Sequence, residues 1–416
     1  MSSGTDTRPA VILGLAAAGL APLRVLGAMG VPCAGLYRDP RKEMGRASRY
    51  LARSRRVSAA PSHDELLTAL AELTAPWRDT KPVLIPASDL YAAFVDELQD
   101  ELRPHYTIRC ARRRLLTAFA DKAATIDLCT EGGAPIPRSI ALTTEADLDS
   151  ICREFRFPVI VKPRRSHGIA FPGKNFVADR ADALRAFFDA HPALLGRVVV
   201  QEMVQGGDGH VMMILSYSGE EGRVLSMATL RKLRQWPPNR GVTSLGRSDW
   251  LPGAASITEG LLNQLGYQGF AATELVEEAS SGRLYLLEVN PRLALPTRLA
   301  LDAGVDLIGT AWREMTGAVP VPVPVPVPAE AEHAGRNQIE GVHWMDLRRD
   351  LLSVIDKSRR GQIRLRSWVR SILRVRSHAT FDWRDPLPWL IASRELVRNL
   401  ASLLGRYLWH GLSRRA

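Results

Sequence analysis

The segment Leu284-Tyr-Leu-Leu-Glu288-Val-Asn290-Pro291-Arg292 sets an acid, an amide and an arginine at alternate positions, and Glu274 precedes Glu288 by fourteen residues. In an extended strand Glu288 and Asn290 share one face, and a hairpin from Glu274 brings a second carboxylate alongside them. Two carboxylates and an amide oxygen are hard oxygen donors of the kind Mg²⁺ takes, with phosphates filling its other positions. One acid on a strand is usually a solvated edge. Three donors at this spacing, followed by Pro-Arg, point to metal-nucleotide chemistry. The chain has no Gly-x-Ser-x-Gly, no His-Glu-x-x-His and no Walker A lysine. Cys33, Cys110, Cys129 and Cys152 lie far apart with no CxxC, which argues against a zinc site or a disulfide framework and for reduced, small apolar residues.

The elements around these residues fall into two textures. Residues 11 to 110 alternate apolar runs (Val11 to Leu15, Val31 to Leu36, Val83 to Pro86) with helical patterns, which predicts a parallel α/β layer. Gly14 and Gly19 flank its first turn but make no GxGxxG, so a dinucleotide site has weak support. Ser88-Asp89 follows the Val83 to Pro86 strand, where the pair could contact a ligand or cap a helix. From 111 the texture becomes α+β. Pro158 to Pro163 reads as a buried strand carrying Lys162, Arg164 to Lys174 as a basic loop, and Val198 to Val204 as a strand closed by Gly206-Gly-Asp208-Gly. Val211 to Ser218, Arg223 to Leu230, Phe270 to Val276 and Arg283 to Val289 read as antiparallel sheet.

With these motifs in this order, residues 110 to 317 resemble the ATP-grasp superfamily, and the region before them resembles the α/β domain that precedes that fold. The resemblance implies ATP and Mg²⁺, bound between two α+β subdomains. It implies phosphate contacts from Lys122 and Lys162. It places the adenine hinge at Gln201, Glu202 and Val204, with a ribose-binding acid at Asp208. Lys232 matches the sheet residue that faces the triphosphate, Glu274, Glu288 and Asn290 match the magnesium ligands, and Arg292 matches the arginine that holds the transferred or acyl phosphate. Ser166, His167 and Gly168 are candidates for the phosphate-covering loop, which is less glycine-rich here than in many members. Within the superfamily the string Gln201 to Asp208, with Arg231 to Pro238 and Gly241-Val-Thr-Ser, resembles the carboxylate–amine ligase branch that includes D-aspartate ligases and carbamoyl phosphate synthase-like proteins. Arg234 then joins Lys232 and Arg292 as a catalytic candidate; its alternative is a basic surface loop.

The chain of 416 residues is 46% apolar and 24% charged, ordinary globular composition with room for several cores. Its net charge of +11 is uneven: residues 351 to 416 hold fourteen Lys or Arg against four Asp or Glu. A nucleic-acid role is therefore disfavoured, since the first 350 residues are close to neutral. Val319 to Pro328 is five Val-Pro pairs, a polyproline II linker. Beyond it, Ile363 to Val375 and Leu390 to Leu408 carry apolar residues at helical spacing among arginines, two candidate basic amphipathic helices suited to packing on the core, docking a partner or lying on an anionic membrane.

The expected organisation is thus α/β plus α+β. A Rossmann-like domain spans 1–110, a two-subdomain ATP-grasp fold 111–318, the linker 319–330 and a helical basic extension 331–416. No run is long enough to span a membrane and the N-terminus has no basic signal region, so the expected place is the cytoplasm, with peripheral contact to the inner membrane face as an option. The expected reaction is ATP-dependent ligation of a small carboxylate to an amine through an acyl phosphate. A non-catalytic nucleotide-binding module acting through its basic tail is the alternative. Homodimers are common in the superfamily, though no heptad marks one here.

Overall fold

The computed structural model describes residues 8–165, 169–238, 241–318 and 337–394. The Val-Pro segment, the loop candidates Ser166, His167 and Gly168, and most of the second amphipathic pattern lie outside them. The three N-terminal apolar runs, joined by an exposed, arginine-rich edge strand that they did not announce, form a parallel four-stranded sheet of β1 (Ala10–Leu13), β2 (Cys33–Tyr37), β3 (Leu51–Arg56) and β4 (Val83–Pro86), in the order β3-β2-β1-β4. All four residues of β1 are buried, as expected of a central strand covered on both faces. The turn leaving β1 needs both its glycines: Gly14 has φ +101°, and a Cβ on Gly19 would stand 2.1 Å from the Gly14 carbonyl oxygen.

A second, antiparallel sheet orders β5 (Ser139–Leu142), β6 (Val159–Pro163), β7 (Phe176–Ala178) and β8 (Val198–Glu202) as β5-β8-β6-β7. Its apolar face packs Val159, Val161 and Val198 onto Leu148, Leu184 and Phe188 of helices Glu145–Glu154 and Ala181–Ala190. Thr144 and Asp147 close a capping box at the start of the first of these helices.

The largest sheet has seven strands: β9 (Val211–Ser218), β10 (Val224–Trp236), β11 (Val242–Ser248), β12 (Gly269–Glu277), β13 (Leu284–Asn290), β14 (His343–Met345) and β15 (Val375–His378), in the order β13-β12-β9-β10-β11-β14-β15. Strand β10 runs six residues past the Leu230 expected as its end, so Lys232 and Arg234 sit on a strand and not in a surface loop.

The C-terminal region differs from the all-helical extension expected of it. Two of its segments, β14 and β15, widen the main sheet, and helix Leu347–Arg359 lies against β10 and β11. The helix Leu365–Ile372 corresponds to the first amphipathic pattern. Asp385 then pins the chain to the N-terminal layer, accepting from Arg24 at 2.9 Å, Ser48 Oγ at 2.8 Å and the Arg49 backbone N–H at 2.9 Å. Arginine spacing alone could not reveal strands this short, because β14 pairs with β11, about a hundred residues upstream, and β15 is added only through β14.

The four cysteines are unbridged, and burial pushes the thiols of Cys33, Cys110 and Cys129 up to about 12.

Candidate active site

The three sheets converge on a cavity of about 590 Å³. Lys122, Lys162, Gln201, Glu288 and Asn290 line one side of it; Arg38, Asp89 and Phe94 of the parallel layer line the other. Lys122 opens helix Lys122–Glu131, whose first turn Asp121 caps by accepting from the Ala123 N–H at 2.9 Å. Lys162 and Gln201 are on the paired strands β6 and β8, and Lys162 Nζ donates to Gln201 Oε1 at 2.8 Å. Gln201 in turn donates to Ser139 Oγ at 2.9 Å, which fixes its amide.

The hairpin expected between the two acids is present: Glu274 of β12 pairs directly with Glu288 of β13 in antiparallel register, and a bulge follows this pair. Asn290 Nδ2 donates to Glu288 Oε1 at 3.1 Å. Lys232 of β10, fully buried, holds its Nζ 2.6 Å from Glu274 Oε2, an ion pair lying off the axis of a good hydrogen bond. Arg292 grips Asp89 from the parallel layer, with Nε–Oδ1 2.5 Å and a second contact of 3.3 Å.

These groups perturb one another. Burial pushes Lys162 down to about 8, partly offset by the Glu288 charge and reinforced by Lys122. Burial also lowers Lys122, again against the pull of Glu288. Glu274 is raised, first by burial and then by Glu288, with Lys232 opposing. For Glu288 burial works in the same upward direction, but the Asn290 hydrogen bond and the charges of Lys162, Lys232 and Lys122 outweigh it and hold the carboxyl below its usual range. A cluster of three lysines facing two carboxylates is matched to a polyanion carrying a hard cation: the anion offsets the repulsion among the lysines, and the cation relieves the repulsion between the acids. Among the described residues no three His, Cys, Asp or Glu side chains gather as a metal site.

Three expected site residues are committed elsewhere. Arg234 is a buried clamp on the C-terminal helix, binding Asp350 through Nε at 2.7 Å and Nη2 at 2.9 Å. The Asp350 carboxylate also accepts from Ser244 and Trp368, so Arg234 is part of a structural network and does not line the cavity. Asp208 accepts from Gln235 Nε2 at 3.0 Å and pairs with Lys357 of helix Leu347–Arg359. Glu202 turns away to accept the Arg156 backbone N–H at 2.9 Å, and Val204 is half-buried in the loop after β8. Sequence reading passed over Arg38, Arg165 and Lys174. The first two line the cavity, and the Lys174 charge reaches Lys122, Lys162 and Glu274. The clustering of Arg165 and Lys174 in the basic loop after β6 was the available signal for both. Asp89 was expected, with Ser88, to contact a ligand or to cap a helix; the structure makes it a cavity-lining residue, the first residue of helix Asp89–Glu97 and the partner of Arg292.

Comparison with known proteins agrees with this geometry. No family model matches the chain. It is 28% identical over 200 residues to an N5-carboxyaminoimidazole ribonucleotide synthase of Synechococcus elongatus, covering 46% of this chain and 47% of that one. It is 24% identical over 213 residues to a D-alanine–D-alanine ligase of Xanthomonas axonopodis pv. citri, covering 46% and 63%. The matches therefore span between about half and just under two thirds of these relatives. Among solved structures, the biotin carboxylase domain of Hydrogenobacter thermophilus 2-oxoglutarate carboxylase, in complex with MgADP, ADP and bicarbonate, superposes with a TM-score of 0.61 at 14% identity over 81% of this chain and 74% of that one. The N5-carboxyaminoimidazole synthetase of Staphylococcus aureus superposes with a TM-score of 0.57 at 13% identity over 75% and 78%. The chain thus shares its fold with these solved structures and is similar over about half of its length to these two enzymes, in keeping with its resemblance to the ATP-grasp superfamily.

Proposed function

We propose that the protein is an ATP- and Mg²⁺-dependent ligase that activates a carboxylate as an acyl phosphate and joins it to an amine, releasing ADP and phosphate. The observation that carries this reading is the lysine–carboxylate cluster of Lys122, Lys162, Lys232, Glu274 and Glu288, completed by Asn290. Bound Mg-ATP supplies the transferable phosphoryl group and charge neutralisation at its oxygens. Glu274, Glu288 and Asn290 would hold the cation; Lys122 and Lys162 would meet the phosphates; and Lys232, behind Glu274, opposes the upward push that burial gives that acid. Gln201 holds Lys162 at the edge of the cavity, with the strand end through Val204 as the adenine side.

A carboxylate is a poor electrophile because its leaving group would be oxide. Attack of its oxygen on the γ-phosphorus breaks the bond to ADP and forms the acyl phosphate. The amine then attacks the carbonyl, the C–O bond to phosphate breaks, and the amine's proton leaves. Arg292, aimed by Asp89, is the group suited to hold the charge on the transferred phosphoryl oxygens, since a planar guanidinium fixes two oxygens at once.

We also assign the parallel layer as the Rossmann-like domain that precedes the ATP-grasp fold, and the working location as the cytoplasm, with the basic C-terminal region reaching a membrane surface. A homodimer is part of this reading too, since the Hydrogenobacter thermophilus biotin carboxylase domain is a dimer in its structure. No helix among the described residues is long and apolar enough to cross a membrane.

Calorimetric titration with ADP tests the cluster: the wild type is expected to bind it more tightly with Mg²⁺ than without, and Glu274→Gln and Glu288→Gln to lose that difference. A Mg²⁺ effect unchanged in both variants would overturn the assignment.

A further inference from the structure

We propose that helix Leu365–Ile372 and the turn after it form a docking face for an anionic lipid bilayer; this rests on the membrane-surface reading above and names the residues and the lipid class. Within that helix no residue is buried, which is unusual for an element inside a folded sheet protein. Leu365 is 64% exposed, Val369 46% and Leu373 80%. At about 100° per residue these three, spaced four apart, make one stripe along the helix. Arg366, Arg370 and Arg374, all exposed, make the adjoining stripe by the same spacing.

The helix is anchored on its other side. Trp368 donates to Asp350 at 2.9 Å, and Ser371 Oγ accepts from Arg234 at 2.8 Å. Its orientation is therefore fixed by a buried network, and the apolar stripe is held outward. Of the eleven exposed large apolar residues among the described residues, six lie between 365 and 390, with Trp383, Leu387 and Leu390 completing the set. An aliphatic stripe beside a row of arginines matches a bilayer interface: the side chains enter the acyl boundary while the guanidinium groups stay at the headgroup phosphates. The excess of fourteen basic over four acidic residues from 351 onward selects negatively charged lipid. A nucleic acid would match the arginines and leave the leucines without a partner.

The test is cosedimentation of the full chain with vesicles of phosphatidylcholine alone and of equimolar phosphatidylcholine and phosphatidylglycerol. Expected is binding to the anionic vesicles only, weakening as salt rises. Joint Leu365→Ser, Val369→Ser and Leu373→Ser is expected to weaken it roughly a hundredfold, since three aliphatic side chains leave the interface. Leu225→Ser, at a position 45% exposed on β10, is the matched control and is expected to bind as the wild type does. A second variant, joint Arg366→Gln, Arg370→Gln and Arg374→Gln, is expected to bind weakly as well, with ADP binding as the check of folding for both. Unchanged binding in both triple variants would overturn this face while leaving membrane contact standing elsewhere in the region. Wild-type protein that stays in solution with both vesicles, or binds them equally, would overturn the proposal, the former together with the membrane reading itself.

Discussion

Arg292 and Asp89 are 203 residues apart in the chain, yet the arginine Nε lies 2.5 Å from the aspartate Oδ1. The pair ties the end of β13, where Glu288 and Asn290 sit, to the first turn of a helix in the parallel layer. Its consequence is geometric: the guanidinium next to the cavity-lining Asn290 and Pro291 is held by Asp89, a cavity-lining residue of a different layer.

Removing that aim should cost rate. Asp89→Asn keeps size and hydrogen bonding but loses the charge that orients the guanidinium, and misplacement by about 1 Å typically costs roughly a hundredfold. We expect kcat to fall about 10- to 100-fold with the KM for ATP changed little. Steady-state kinetics decides it; an unchanged kcat would mean that Arg292 is positioned without Asp89.

Lys162 sets a pH dependence. Burial pushes its amine down to about 8 in the protein without nucleotide, and a bound polyphosphate favours the protonated form. Below pH 8 the lysine is already charged and affinity should be flat with respect to this group. Above pH 8 binding must draw in a proton, so affinity for ADP should fall by about tenfold per pH unit. Lys162→Arg keeps the charge throughout and should remove the slope, though with altered affinity. Titration from pH 7 to 9.5 reads both; parallel slopes in the two proteins would contradict the assignment.

The Arg234–Asp350 clamp should matter to stability more than to turnover. The two side chains are 9% and 0% exposed, and removing one partner from a buried pair typically costs about 3 to 5 kcal/mol. Asp350→Ala should therefore destabilise the fold by that order, whereas joint Arg234→Met and Asp350→Leu should recover much of the loss. Denaturant unfolding followed by circular dichroism measures it. A loss of less than about 1 kcal/mol in Asp350→Ala would show that the C-terminal helix is held by other contacts.

Much of the site was legible because strand alternation is a strict geometric rule. Glu288 and Asn290 had to share a face, and the spacing to Glu274 admitted a hairpin, so the register followed from the sequence. The lysines were legible by their place in the order of motifs. The residues found paired away from the cavity share one physical origin. Arg234 and Asp208 carry the right chemistry, but their partners Asp350 and Lys357 lie 116 and 149 residues downstream, and no local pattern records which long-range pair will form. The C-terminal strands were hidden for a related reason: β14 and β15 are three and four residues long, too short for periodicity to declare. In the first layer three of the four strands were legible as apolar runs without any partner being known, whereas the exposed edge strand Leu51–Arg56 carries no such signal.

The central claim is that this cavity joins a carboxylate to an amine at the expense of ATP. The most direct measurement is ADP and phosphate release with Mg-ATP across a panel of amino acids and small carboxylates, singly and in pairs, with mass spectrometry of each positive reaction. The account predicts release that requires both members of a pair, a product equal to their sum less water, and loss of both signals in Glu288→Gln. Turnover that proceeds equally without either substrate, or that survives intact in Glu288→Gln, would contradict it.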